Sequence, residues 1–228
     1  MKRLPLLLLL TLLAACAGEE RYRRGADYYG SVTALRAAQT EGLDYSREVY
    51  YRGSAVSVLA LHGGDIEKGT ARLARRTASG DLNLYVFSGW LGRASGRLHV
   101  TATHFDDPDA VRIATAAVLG LAFHAQADRG AWVCVGGSNK KAAALVARRL
   151  EEAGFAAETP CPRLPGTSPK NIVNRAAQGG VQLEITLRLL DRLEKNAGDL
   201  SKFTGAVRLA AFEFVGSIPK TEIKQEIR

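Results

Sequence analysis

Ser54-Ala-Val-Ser-Val-Leu-Ala-Leu61 runs straight into His62-Gly-Gly-Asp-Ile-Glu67-Lys-Gly69-Thr70. The first eight residues are apolar or small, are bounded by a Gly-Gly turn, and are too few for a buried helix, so they read as a buried strand. A basic helix follows from about Gly69 to Ala78. Strand, tight turn and helix in that order form the opening unit of an α/β sheet. The unit also ends its strand on an imidazole, with a carboxylate five residues further on.

Outward from this unit the alternation continues. Leu82–Phe87, Leu98–His104, Val118–His124, Trp132–Val135 and Val181–Ile185 read as further strands, with a short one near Phe155. Asp107-Pro108 starts a helix, because Asp caps and Pro suits the first turn. Lys140 to Ala153 is an amphipathic helix stopped by Gly154. The loop from Pro160 to Pro169 is proline-rich, and the chain after Ile185 is helical to about Val215. The expected fold is α/β, one domain, with helices on both faces of an open sheet.

Met1-Lys2-Arg3 and the apolar run Leu4 to Leu13 read as an export signal, since a spanning helix needs about 20 apolar residues. The run ends in Leu13-Ala-Ala-Cys16, which resembles the bacterial lipobox. That resemblance implies a signal peptide over residues 1–15, lipidation of Cys16, a polar tether over 16–26 and a folded domain over 27–228. The expected location is the cell envelope, on the periplasmic face of the outer membrane or outside the cell, held by the lipid. The formal charge of +8 falls to +6 without Lys2 and Arg3, which suits an anionic partner. The basic residues are scattered without an aromatic-rich basic stripe, which speaks against nucleic acid. Cys134 and Cys161 either pair as a disulfide of an exported domain or, because Cys134 sits in an apolar run, remain core thiols.

The chain holds four histidines: His62, His99, His104 and His124. His62, His104 and His124 close apolar strand-like runs, and ligands of open α/β sheets bind at that rim. His62 with Glu67 places two metal-ligand types on one turn. One more imidazole completes a two-His, one-carboxylate site with an open water position.

His62-Gly-Gly-Asp-Ile-Glu67-Lys-Gly69-Thr70 resembles the HGG-x-IE-x-GT signature of the phage-type poly-γ-glutamate hydrolases. Tyr85-Val-Phe-Ser-Gly89, Leu98-His99-Val-Thr, Phe105-Asp-Asp-Pro108, Gly136-Gly137, Asn171-Ile-Val-Asn174-Arg175 and Gly180-Val-Gln182-Leu-Glu184-Ile185 follow in the family's order, from about residue 55 to 190. The resemblance implies a single-domain, zinc carboxypeptidase-like mixed sheet with one zinc ion per chain at the strand C-termini, in a monomer. It implies His62 and Glu67 as ligands, although Asp65 mimics the usual carboxypeptidase spacing. The third ligand is expected to be His124, which closes Val118–His124. His99 is the rival, at the wrong rim if its strand runs parallel to its neighbours.

Glu184 is the expected catalytic carboxylate, since an unpaired charge in an apolar strand is costly without a purpose. An ion pair with Arg188 is the plainer alternative. His99 or His104 is expected to face the developing oxyanion, and Asn171, Asn174 and Arg175 to hold a substrate carboxylate. The expected activity is zinc-dependent hydrolysis of γ-glutamyl amide bonds in an anionic polymer or glutamyl peptide. Cleavage of peptidoglycan stem peptides and non-catalytic polymer binding by an envelope lipoprotein are the alternatives.

Overall fold

The computed structural model describes residues 27–219. The expected signal peptide over 1–15, the lipidation site Cys16 and the tether over 16–26 lie outside the described residues. In chain order the elements are α1 (Val32–Ala38), β1 (Tyr45–Tyr50), β2 (Val56–Gly64), α2 (Thr70–Ala78), β3 (Asn83–Gly89) and α3 (Pro108–Thr115). There follow β4 (Leu119–Gln126), β5 (Trp132–Gly136), α4 (Lys140–Glu152), β6 (Ala156–Glu158), β7 (Gly180–Thr186), α5 (Leu187–Lys195) and α6 (Ala197–Gly216). Short 3-10 helices span Gly92–Leu98 and Ile172–Arg175.

The strands form one sheet in the order β1-β3-β2-β4-β7-β5-β6. Its centre, β3-β2-β4-β7, is parallel. β1 and β5 add antiparallel partners on either side, so the sheet is open and mixed. Along β2, Val58 and Ala60 face a core shared with α2, α4, α5 and α6, while Leu59 and Leu61 face one shared with α1 and α3. Burial on both faces is why this strand reads as an unbroken apolar run.

From β2 the chain crosses through α2 to β3 on one side; from β3 it returns through α3 to β4 on the other. The C-terminal ends of β2 and β4 therefore flank the point where the winding reverses, and a crevice opens there. Asp107 caps α3, accepting from the amides of Asp109 and Ala110, and its second oxygen takes Arg36 and Arg47.

Two parts of the chain depart from expectation. Leu98–His104 is not a strand. Leu98 and Val100 are buried in alternation, which imitates one, but the backbone bonds elsewhere: His99 N–H to Gly96 O, Thr101 N–H to the Asp27 carboxylate, and Ala102 O to the Ile172 amide. The segment is a loop laid over the sheet's rim. α1 and the edge strand β1 were not anticipated, because Tyr-Ser-Arg-Glu-Val-Tyr carries charges at its centre and is only half-buried. Cys134, on β5, is disulfide-bonded to Cys161, at the start of the proline-rich loop.

Candidate metal centre and active site

Three neighbouring strands deliver the polar groups. β4 and β7 run in register with His124 beside Glu184, and Ala122, His124, Gln182 and Glu184 share the face opposite Phe123, Leu183 and Ile185. On strict alternation His62 would point the other way, with Val58 and Ala60. The β2–β3 register shifts between Ala60 and Gly63, and this irregularity re-aims the imidazole. The two glycines are required for it. A Cβ on Gly63 would lie 2.8 Å from the Ala71 Cβ and 2.9 Å from Phe87 O, and Gly64 has φ +67 with its Cβ position 2.4 Å from Gly89 O. Hydrogen bonds from Asp65 N–H to Gly89 O (2.9 Å) and from Glu67 N–H to His62 O (2.7 Å) then lock the turn.

His62 Nε2 lies 2.9 Å from Val100 O. A carbonyl only accepts, so Nε2 carries the proton and Nδ1 presents its lone pair. That lone pair faces Glu67 Oε1 at 3.0 Å and His124 Nδ1 at 3.2 Å, and His124 Nδ1 is 3.7 Å from Glu67 Oε2. The two separations that meet at His62 Nδ1, 3.0 and 3.2 Å, are close to the edge of a zinc tetrahedron, about 3.3 Å at ordinary bond lengths. Lone pairs converging this closely call for a shared proton or a cation among them. The donor set therefore fits a zinc ion, with Val100 O supplying the outer contact that orients a ligating imidazole.

Burial alone would raise the Glu67 carboxyl, but the His62 and His124 rings outweigh it and hold Glu67 well below the ordinary carboxylate range. Burial would lower His124; its bond to Glu67 and the charges of Glu184 and Glu67 prevail and raise it. Glu184 is raised, chiefly by burial, against the pull of His124. Its partner is Gln182, whose amide donates to Oε1 at 2.7 Å. Among the described residues no arginine pairs with Glu184, so the ion pair with Arg188 is not formed.

His99 is brought to the site because its segment is a loop and not a strand. Its ring stacks on His62 with centroids 4.0 Å apart, and His62, Glu67 and His99 form a group with ligand atoms within 4.8 Å of one another. The Asp27 carboxylate accepts from His99 Nδ1–H at 2.8 Å, which leaves the Nε2 lone pair for a cation or a substrate N–H. Burial, and next the His62 ring, keep His99 below its ordinary value.

A cavity of about 550 Å³ holds all of these groups: His62, Glu67, His99, His124 and Glu184 line it, together with Asn171 and Gln182. Other expected residues lie elsewhere. Asp65 faces a second cavity beside Lys68, so Glu67 alone supplies the turn's carboxylate to the cluster. His104 is exposed, 3.7 Å from Asp27, and does not line the site. Asn174 ties its amide to Gly166 O and Ser168 O and accepts from Ser138 N–H, as a brace for the proline-rich loop. Arg175 is exposed and outside the cavity lining. Asn171 reaches the cavity, but its amide is bonded to Gln182 Oε1 at 2.7 Å. Sequence reasoning missed Arg163, Asp27 and Gln182; the basic residue inside a proline-rich loop was the available signal for Arg163.

An open mixed sheet with two imidazoles and a carboxylate at its switch point defines a zinc-peptidase-like α/β protein. The sequence model of the family described as poly-gamma-glutamate hydrolase matches residues 29–204, and the chain belongs to that family. The UPF0714 protein YndL of Bacillus subtilis (strain 168) is 36% identical over 146 residues, which cover 63% of this chain and 58% of YndL. The SPbeta prophage-derived UPF0714 protein YoqZ of the same organism is 35% identical over 164 residues, 71% of this chain and 59% of its own. The chain thus matches under three fifths of the length of either relative. Among solved structures, a bacteriophage poly-gamma-glutamate hydrolase superposes with TM-score 0.78 at 34% identity, over 84% of this chain and 99% of its own. Zinc-free apo YndL gives 0.74 at 28% identity, over 84% and 98%.

Proposed function

We propose that this protein is a zinc-dependent hydrolase of γ-glutamyl amide bonds, acting on poly-γ-glutamate. The observation that carries the reading is the triangle of His62 Nδ1, His124 Nδ1 and the Glu67 carboxylate, with Glu184 on the next strand in the same cavity. Family membership and the likeness to the bacteriophage hydrolase support the substrate class, and the zinc-free YndL structure supports the choice of metal.

His62, Glu67 and His124 hold the ion in this reading. His124 is read as the third ligand, because its Nδ1 lies 3.2 Å from His62 Nδ1, near the spacing zinc imposes; His99, whose ligand atom also comes within 4.8 Å of the others, is the second candidate. A bound zinc ion supplies a Lewis acid for the scissile carbonyl and lowers the pKa of water toward neutrality. Glu184 takes a proton from the attacking water and returns it to the leaving amine. Its raised affinity for protons suits both halves of that shuttle. Gln182 fixes one Glu184 oxygen, leaving the other for the water. His99, whose Nδ1–H is held by Asp27, turns its Nε2 lone pair to the cavity, where it accepts from a substrate N–H.

Export and lipid anchoring at Cys16 complete the proposal. A disulfide between Cys134 and Cys161 suits an oxidising compartment. The experiment is hydrolysis of poly-γ-glutamate by the soluble domain, read as released chain ends, against purified peptidoglycan as the competing substrate. Turnover of peptidoglycan alone would replace the substrate and keep the mechanism.

A further inference from the structure

The cavity has one cation for an anionic substrate, and it is not among the residues the sequence pointed to. Arg163 is the only lysine or arginine that lines it among the described residues. Its backbone is fixed on both sides. Cys161, two residues earlier, is bonded to Cys134 of β5; afterwards Pro165 O accepts from Gly137 N–H at 2.8 Å and Gly166 O from the Asn174 amide at 2.7 Å. The side chain itself is 63% exposed, so it can turn toward a ligand without moving the loop. Its present partners are the Asp128 carboxylate and Gln126 Oε1, the latter at 3.3 Å. A carboxylate already in contact shows that the guanidinium is placed and solvated for that kind of group.

Which carboxylate Arg163 would take follows from its side of the cavity. Gln126 links Arg163 to β7: its oxygen accepts from Arg163, and its amide donates to the backbone carbonyl of Glu184 at 3.0 Å. Arg163 therefore meets the cavity at the ends of β4 and β7, the strand that carries Glu184. Glu184 serves the leaving amine, and in a γ-glutamyl polymer the α-carboxylate of the leaving residue is two bonds from that nitrogen. The α-carboxylate on the acyl side is four bonds from the scissile carbonyl carbon and extends the other way.

We propose that Arg163 is the specificity residue for the leaving residue, exchanging Asp128 for its α-carboxylate when substrate enters. The inference rests on the hydrolase reading above. The alternative, that Arg163 only pins the loop to Asp128, predicts a stability effect that is the same for every substrate.

The test uses two γ-linked glutamate oligomers. They are identical except that in one the leaving residue is γ-aminobutyrate, which is glutamate without its α-carboxylate. For Arg163→Gln, kcat/KM at that bond should fall about 10- to 100-fold on the all-glutamate oligomer, the range of a lost charge-assisted hydrogen bond. It should stay within twofold on the γ-aminobutyrate oligomer, with zinc content and melting temperature unchanged. Arg163→Lys should restore part of the loss. Calorimetric affinity for both oligomers in Glu184→Gln protein, with and without Arg163→Gln, reads the same contact without turnover. If the wild type cleaves neither oligomer, the hydrolase reading fails while the affinity difference still decides on Arg163. Equal losses on both oligomers, or no loss on the first, overturn the assignment.

Discussion

The cavity has two walls, and they differ in kind. One is made of strand ends: His62, His124 and Glu184 stand on β2, β4 and β7, set by ladder register and one bulge. The other is made of loops, with His99 on the segment after Gly92–Leu98 and Arg163 on the stretch after Cys161. The strand wall is rigid because β4 and β7 pair in unbroken register from Gly120 to Gln126 and the bulge after Ala60 is locked by the Glu67 N–H bond to His62 O. The loop wall is held by point attachments: the Asp27 carboxylate, the disulfide and the Asn174 amide. Chemistry that needs sub-ångström placement belongs on the first wall, and recognition that varies with substrate belongs on the second.

Substitutions on the two walls should separate accordingly. His62→Ala and His124→Ala should lose the zinc and bring turnover to background, while His99→Ala keeps the metal and lowers kcat/KM by about 3- to 10-fold, as for a lost neutral hydrogen bond to substrate. Metal analysis beside kinetics checks this, and zinc lost from His99→Ala but kept in His124→Ala would move the third ligand to the loop wall. Gly64→Ala, at φ +67 and with no room for a Cβ, should destabilise the domain by about 2–4 kcal/mol, measured by denaturant unfolding of the zinc-free protein. Removing the disulfide by Cys134→Ser with Cys161→Ser should cost about 2–4 kcal/mol. Its kinetic effect should fall on KM, because the loop it pins carries recognition; an unchanged KM would separate the disulfide from the site. His104→Ala should change kcat/KM less than twofold, since His104 lies outside the cavity.

Legibility from sequence follows the same division. The turn His62–Thr70 was readable because a β-bulge, a left-handed glycine and a helix start leave fixed residues at fixed spacing. His124 and Glu184 were readable because a polar residue at the end of an apolar strand is conspicuous. The loop wall was not. Leu98-His-Val-Thr-Ala-Thr-His104 alternates like a strand, and only the Asp27 carboxylate, more than seventy residues away, shows where its backbone bonds go. The same reading offered His99 and His104 alike as groups facing the substrate, and the structure brings His99 but not His104 to the cavity. Asn174 and Arg175 were assigned to substrate because their types suit carboxylates. The structure uses Asn174 as a brace, which depends on Gly166 and Ser168 being folded against it. Anchoring through Cys16 rests on the sequence alone; Cys16→Ser should release the protein from the membrane fraction, and unchanged detergent partition would refute the lipid.

The central claim is that the strand wall performs the chemistry, and Glu184→Gln tests it most directly. The substitution is nearly isosteric and keeps an acceptor for the Gln182 amide, so fold and zinc should persist. Turnover of poly-γ-glutamate, zinc content and melting temperature are measured on one preparation. The account predicts a kcat lower by about 10² to 10⁴, as for a lost general base, with the metal and melting temperature of the wild type. Substantial turnover in folded, zinc-loaded Glu184→Gln protein would contradict it.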